Sequence, residues 1–402
     1  MRCTGRGFAV AGLAVAALLG SAVPVSAQQS DPAITGFPVG SPSQITLIGS
    51  LRSGPDGALW FTWLQDEPTG AKPGLGRITT SGVVTQWPAP TSWSGPGLGS
   101  LIAGAGSIWT ADNHDNKHFI GQWNVNGTLV KEYALTAWAY GLTWGPDNAL
   151  WFSGAGSIQP TGVTNSYIGR LAMDGTVTTY PMPDPSNLAS DITLGSDGAF
   201  WFVEEPGANA GRVTTGGVFT EYPIPGDPGN LLTQFGNQTI TLASDGAVWL
   251  TTGLLPSLTR VSPTGNISNF PVPAGGPNSL TTGPDGNLWF AANNGIGRMT
   301  LSGETVNYPL PDALSLRPTV ITSGPDGKLW FGVQGFIGRL DPSIPPPASG
   351  ISPATTPIPD TGAGAATAGQ VVGVLAVGAG LLAVVGACLT GLRRRRGNPP
   401  AD

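Results

Sequence analysis

The sequence predicts an all-β fold: a seven-bladed β-propeller of four-stranded blades, closed by its N-terminal strand. Three observations carry this reading: a phrase that returns seven times, strand and turn chemistry inside each copy, and an orphan strand that supplies what the last copy lacks. The phrase reads GPDGALWF from Gly54, GAGSIW from Gly104, GPDNALWF from Gly145, GSDGAFWF from Gly195, ASDGAVWL from Ala243, GPDGNLWF from Gly283 and GPDGKLWF from Gly324. Its tryptophans, Trp60, Trp109, Trp151, Trp201, Trp249, Trp289 and Trp330, are spaced 49, 42, 50, 48, 40 and 41 residues apart. A recurrence of this length means one supersecondary unit copied around a ring.

Each copy contains four pieces in the same order. The Asp-Gly of the phrase is a tight turn, because Gly accepts positive φ and Asp bonds its own backbone, so it joins an inner strand to one that begins Leu-Trp-Phe. A third strand follows a variable loop, as in Ile168-Gly169-Arg170-Leu171 and Ile296-Gly297-Arg298-Met299. The outer strand ends in aromatic-Pro-apolar-Pro, as in Tyr180-Pro181-Met182-Pro183 and Tyr308-Pro309-Leu310-Pro311. Proline donates nothing to a ladder, so this strand belongs at the rim. The seventh copy stops at Leu340 without an outer strand, while Ile34-Thr35-Gly36-Phe37-Pro38-Val39 precedes the first copy and matches the missing piece. The N-terminal strand is therefore expected to complete the seventh blade and leave no open sheet edge. The turn aspartates Asp56, Asp147, Asp197, Asp245, Asp285 and Asp326 read as turn stabilisers rather than calcium ligands, and the arginine after Ile-Gly reads as a tie between blades.

The termini partition the rest. Residues 1–27 read as a secretory leader, with Arg2 and Arg6, an apolar run from Phe8 to Leu19 and the small-residue stretch Val25-Ser26-Ala27. The propeller is expected over 28–342, followed by a Pro/Ala/Ser/Thr-rich stalk over 343–370, an uncharged span over 371–392 and a basic tail over 393–402. Twenty-two residues at the helical rise reach about 33 Å, enough to cross a bilayer, and Arg393 to Arg396 place the tail on the cytoplasmic side. The pentapeptide Ile358-Pro359-Asp360-Thr361-Gly362, the span and the basic tail, in that order, resemble the sortase sorting signal of Gram-positive cell-wall proteins. That resemblance implies cleavage between Thr361 and Gly362 and attachment to peptidoglycan; a permanent single-span anchor is the alternative. Both readings place the propeller on the extracellular face.

Cys3 and Cys388 fall in the leader and the span, so packing alone must stabilise the exported domain. Of 18 basic residues six lie in the leader and tail, whereas of 24 acidic residues only Asp402 does, leaving a formal charge of about −11 between them. No basic face can be assembled from so few cations, so nucleic acid is not expected as a partner. A monomer is expected.

The phrase GPDGxLWF, followed by IGR and then Tyr-Pro-x-Pro, is similar to the virginiamycin B lyase (streptogramin lyase) family of seven-bladed propellers, from about Ile34 to Leu340. The resemblance implies a magnesium-dependent elimination that opens the ester of a cyclic depsipeptide antibiotic, with His and Glu at the top of late blades. At the corresponding positions stand Asn278, Ala292 and Gly276 in the sixth copy and Gln238 in the fifth. None of these can remove a proton near neutral pH, since amides do not titrate and Ala and Gly carry no base. No catalytic residue and no metal ligand is assigned, and no cofactor is expected, with magnesium as the alternative. The two histidines, His114 and His118, sit among Asp112 and Asp115 in what reads as a solvated loop of the degenerate second copy. Glu204 is the one Glu that follows Trp-Phe-x.

Residues that start inner strands or follow Trp-x-x should line the mouth of the ring. From these, Tyr140, Ser190, Glu204, Gln238, Asn278 and Thr319 form a candidate ligand cup, mostly neutral and hydrogen-bonding, suited to a small molecule, peptide or glycan. The function expected is a surface-anchored, non-catalytic binding module. Alternatives are a virginiamycin B lyase-type enzyme with relocated catalytic groups at Glu204 or the His114/His118 segment, and an adhesion module whose rims bind neighbours.

Overall fold

The computed structural model describes residues 33–346, apart from 41–45, 68–69, 94–96, 160–161, 206–208, 226–237, 252–255, 274–275, 294, 312–313 and 315–316. The expected leader, most of the stalk, the pentapeptide, the apolar span and the basic tail lie outside the described residues.

Seven four-stranded antiparallel sheets follow one another, each running from an inner to an outer strand. Blade 1 comprises Thr46–Ser53, Leu59–Gln65, Lys72–Ile78 and Val84–Pro88. Blade 2 comprises Gly97–Gly104, Ser107–His114, Lys117–Trp123 and Leu129–Leu135. Blade 3 comprises Trp138–Trp144, Leu150–Ala155, Tyr167–Leu171 and Val177–Pro181, with an additional hairpin, Ser157–Gln159 and Gly162–Thr164. Blade 4 comprises Leu188–Leu194, Phe200–Glu205, Asn209–Val213 and Phe219–Pro223. Blade 5 comprises Ile240–Leu242, Val248–Thr251, Ser257–Val261 and Ile267–Pro271, and blade 6 Ser279–Thr282, Leu288–Ala292, Gly295–Met299 and Thr305–Pro309. Blade 7 joins Val320–Ser323, Leu329–Val333 and Phe336–Leu340 to the N-terminal strand Ile34–Pro38.

That closure is in the expected register. Ile34 faces Leu340, Gly36 faces Gly338 and Pro38 faces Phe336, while Phe37 stacks on Trp330 with ring centroids 5.5 Å apart. Hydroxyls carry the join onward at the last residues of the inner strands. Ser53 donates to the carbonyl of Ser323 at 2.8 Å, Ser323 to Thr282 at 2.7 Å, and Thr282 to Leu242 at 2.7 Å, linking blades 1, 7, 6 and 5 in sequence.

The repeated phrase builds the same unit in blades 1, 3, 4 and 6. The turn aspartate accepts the indole N–H of the following Trp through Oδ1 and the third-strand arginine through Oδ2: Asp56 bonds Trp60 Nε1 at 3.0 Å and Arg77 Nε at 2.6 Å. Asp147, Asp197 and Asp285 repeat both bonds. Burial raises these carboxyls, but the Trp and Arg donors outweigh it and hold all four below the ordinary carboxylate range. The expectation that this arginine ties blades together is thereby corrected for blades 1, 3, 4, 5 and 6. There the arginine pairs within its own blade, because it sits directly across from the Trp whose turn presents the aspartate. Arg339 alone among these arginines behaves as expected, donating to the carbonyl of Thr80 in blade 1 at 2.8 Å.

Glycine in the third strand answers a close approach. A Cβ on Gly297 would lie 2.1 Å from the Phe290 ring, and Gly76, Gly169, Gly211 and Gly338 meet the equivalent Phe in the same way. In blade 2 this Phe is Thr110, and the space over Gly121 is taken by the Asp112 carboxylate together with Trp123, which donates from Nε1 to Thr110 Oγ1 at 2.7 Å. This exchange explains how the copy that departs most from the phrase still forms a complete blade.

The glycine that opens the phrase is equally constrained: a Cβ on Gly283 would fall 2.2 Å from Trp289. In blade 5 that position is Ala243, and the buried Trp249 Nε1 has no partner among the described residues. Gly283→Ala is therefore expected to break the Trp289–Asp285 bond and destabilise the protein by about 1–3 kcal/mol, read by denaturant unfolding. An unchanged midpoint would remove this account of the glycine.

Candidate functional site

Because the strands alternate in direction, the ends of the second strands and the starts of the inner strands meet at one end of the ring. Leu98 faces Asp112, Ala139 faces Gly154, Ala189 faces Glu204, Ser279 faces Ala291 and Val320 faces Gly332. In blades 1 to 4 the inner strand carries a register irregularity at this end, between Ile48 and Ser50, Leu98 and Leu101, Ala139 and Leu142, and Ala189 and Ile192. Such bulges re-aim side chains. Two of the predicted cup residues, Tyr140 and Ser190, sit in them.

Each predicted residue has a definite setting. Tyr140 is half-buried and packs with Ala155 and Leu188; burial, aided by Tyr167, raises its hydroxyl above the ordinary tyrosine range. Ser190 is half-buried, its Oγ 3.5 Å from the Val203 carbonyl. Gln238 is buried, and its Nε2 has no partner among the described residues. Asn278 is buried; its Nδ2 donates to the Pro318 carbonyl of blade 7 at 3.0 Å, and its Oδ1 is unpartnered among the described residues. Thr319 donates to the Ile48 carbonyl of blade 1 at 3.1 Å. The mouth thus gathers Tyr140 with Ser190 on blades 3 and 4, and Asn278 with Thr319 at the joints of blades 6, 7 and 1.

Glu204 is the carboxylate of the cup. It is fully buried, with Oε2 accepting from Asn209 Nδ2 at 3.1 Å and Asn187 Nδ2 at 3.4 Å, and Oε1 unpartnered among the described residues. Burial pushes its carboxyl up to about 7; the charges of Glu221 and Asp184 act in the same direction, and the two amides oppose them. It is therefore poised to exchange a proton near neutrality.

The histidines correct the reading of a solvated loop. His114 ends the second strand of blade 2, His118 lies in the third strand, and only Asp115 and Asn116 turn between them, at φ of 53° and 58°. A two-residue turn with both residues left-handed matches the twist of a hairpin, and Asp and Asn tolerate it best. His114 is buried between Trp93 and Phe119, with ring centroids 3.8 and 4.7 Å away, and its nitrogens meet Asp115 at 3.0 Å and Glu132 at 2.7 Å. His118 faces the other way, Nδ1 2.9 Å from Asn113 Oδ1 and its ring 5.3 Å from that of Trp138. Asp112 is buried, and burial, reinforced by the charge of Glu132, raises its carboxyl well above the ordinary value.

Sequence reasoning missed Asp191, which bonds the Ile240 N–H of blade 5 at 3.1 Å. A signal was present: Asp191, Ser50 and Ser279 each stand ten residues before the repeat Trp. Ser50 and Ser279 likewise accept an N–H of the next blade, from Leu101 and Ile321.

The magnesium that the resemblance implies does not fit the late-blade mouth. Gln238 and Asn278 offer amides, Ala292 and Gly276 offer nothing, and this ion is held through carboxylates. Among the described residues no group of three or more His, Cys, Asp and Glu is placed to hold a metal ion.

A model described as the Virginiamycin B lyase family matches residues 21–230 and 231–344. The chain is similar to a virginiamycin B lyase of Nocardia farcinica, 27% identical over 200 residues that cover 42% of this chain and 67% of that one. A solved streptogramin B lyase structure is 30% identical, covering 77% of this chain and 97% of its own, with a TM-score of 0.63. A catalytically inactive histidine-to-alanine variant of virginiamycin B lyase from Staphylococcus aureus, solved with quinupristin, is 28% identical, covering 76% and 99%, with a TM-score of 0.63.

Proposed function

The chain belongs to the virginiamycin B lyase family, and from that premise we propose that it is a binding member, one that holds a cyclic depsipeptide or a similar amphipathic peptide or glycan at its mouth without opening it. The observation that carries this reading is the replacement of proton acceptors by Asn278, Gln238, Ala292 and Gly276 where the family's His and Glu are expected. An amide in place of imidazole keeps hydrogen-bonding capacity and shape but abstracts no proton. A relative deprived of one histidine is inactive and yet was solved with quinupristin, so scaffold and chemistry separate in that protein. The leader, stalk and sorting-type pentapeptide support display on the extracellular face, with sortase and peptidoglycan as partners or, failing cleavage, the membrane through residues 371–392.

A second reading rests on Glu204, whose carboxyl titrates near 7. There Glu204 would replace the late-blade base in a relocated lyase site. The binding reading is tested by melting the full chain with a type B streptogramin, with and without magnesium. Ligand at about 100 times its Kd stabilises the folded state by about 2.7 kcal/mol, so the midpoint should rise equally in both conditions. A rise that needs magnesium, or none at all, counts against it.

A further inference from the structure

In blade 2 the second and third strands, eight and seven residues long, meet in the Asp115-Asn116 turn, and blade 3 carries an additional hairpin. Between these two blades lie Asn113, His118, Leu135 and Trp138. His118 and Leu135 are partners across the third and fourth strands, and His118 faces Asn113 across the second and third. Asn113 is more than nine-tenths buried, and its Oδ1 lies 2.9 Å from His118 Nδ1. An amide oxygen accepts only, so the hydrogen of the imidazole sits on Nδ1 and the lone pair on Nε2. Nε2 has no protein partner among the described residues, and burial lowers the pKa of His118, which keeps the ring neutral. Trp138 is half-buried, its ring tilted at 40° to the imidazole.

We propose that this edge is a ligand subsite, in which His118 Nε2 accepts a hydrogen bond from a phenol hydroxyl or indole N–H while the ring that carries it packs on Trp138 and Leu135. The inference rests on the binding reading and specifies which side of the mouth takes the flat, apolar part of the ligand. A neutral acceptor selects a donor, which excludes carboxylates and phosphates. The tryptophan face selects a planar group. Asn113 is a positioning residue here, since it fixes the tautomer through which His118 acts.

The test titrates the full chain with N-acetyltyrosinamide and with N-acetylphenylalaninamide, which differ by one hydroxyl, while nitrogen NMR follows the ring nitrogens of labelled histidine. The unprotonated nitrogen of His118 should shift with the tyrosine compound only, and that compound should bind on the order of five- to tenfold more tightly than the other. His118→Ala should abolish the difference, and Asn113→Ala should reduce it by releasing the other tautomer. Equal affinity for the two compounds, or an Nε2 resonance that ignores both, overturns the inference. Should His118→Ala not fold, the resonance in the unaltered chain decides alone. If the streptogramin still raises the melting midpoint when the tyrosine compound does not bind, the subsite is wrong and the binding reading stands. If neither acts, both fall.

Discussion

Removing residues 34–39 is expected to abolish cooperative folding of the ring or to lower its stability by an amount on the order of 5 kcal/mol or more. The segment supplies the fourth strand of blade 7, paired from Ile34 to Pro38, and buries Ile34 at 5% and Val39 at 2% exposure. Burying an aliphatic or aromatic side chain contributes about 1.5–3 kcal/mol, so Ile34, Phe37 and Val39 together account for most of that figure. The Val39 N–H bond to the Gly335 carbonyl at 2.8 Å goes with them, and Ala33, whose carbonyl accepts from Asp341 N–H at 2.8 Å, loses the strand that holds it there. The deletion also uncovers the third strand of blade 7 as a free edge, which invites pairing between molecules. Melting and sedimentation of the deletion variant check both consequences. A monomer with an unaltered midpoint would show that closure does not hold the ring.

Glu204→Gln is expected to stabilise the protein at alkaline pH and to leave it unchanged at acid pH. The carboxyl titrates at about 7 in the folded chain against 4.5 without its surroundings, so between those values the folded state binds more protons than the unfolded one. Stability from this group is therefore fully present below pH 4.5 and is lost as pH rises through 7. At about 1.4 kcal/mol per pH unit, the gap sets a ceiling of about 3 kcal/mol. Glutamine keeps the shape and cannot ionise, so the variant should show a flatter profile, with its advantage largest near pH 8. Denaturant unfolding at pH 5 and pH 8 measures this. Parallel profiles for the two proteins would mean that Glu204 is ionised without penalty. The same experiment bears on function, because a carboxyl that titrates near neutrality is what the relocated-lyase reading needs.

The ring was legible in the sequence for a physical reason. A buried Trp in all seven blades, with the Asp turn in six copies and a proline-ended outer strand in six blades, repeats the same local rules, and local rules survive in a linear string. The Ile34–Val39 strand was readable because the seventh copy lacked a piece of matching chemistry. The partner of the repeated arginine was not readable. Spacing places it near the turn aspartate and near the next blade alike, and strand register alone decides in favour of Asp56 and its equivalents. The bulges that aim Tyr140 and Ser190 were hidden for the same reason, since one extra residue in a strand leaves no composition mark. His114 and His118 misled because Asp-Asn-His-Asp-Asn reads as a loop by composition. The hairpin depends on two left-handed residues that the string does not declare.

Whether this scaffold keeps a mouth without the means to remove a proton there is decided by the fate of the ligand itself. The full chain is incubated with a cyclic type B streptogramin and magnesium, and the compound is followed by mass spectrometry beside a protein-free sample. The compound is expected to stay cyclic to the same extent in both samples. Linear product that accumulates in proportion to protein concentration would contradict it.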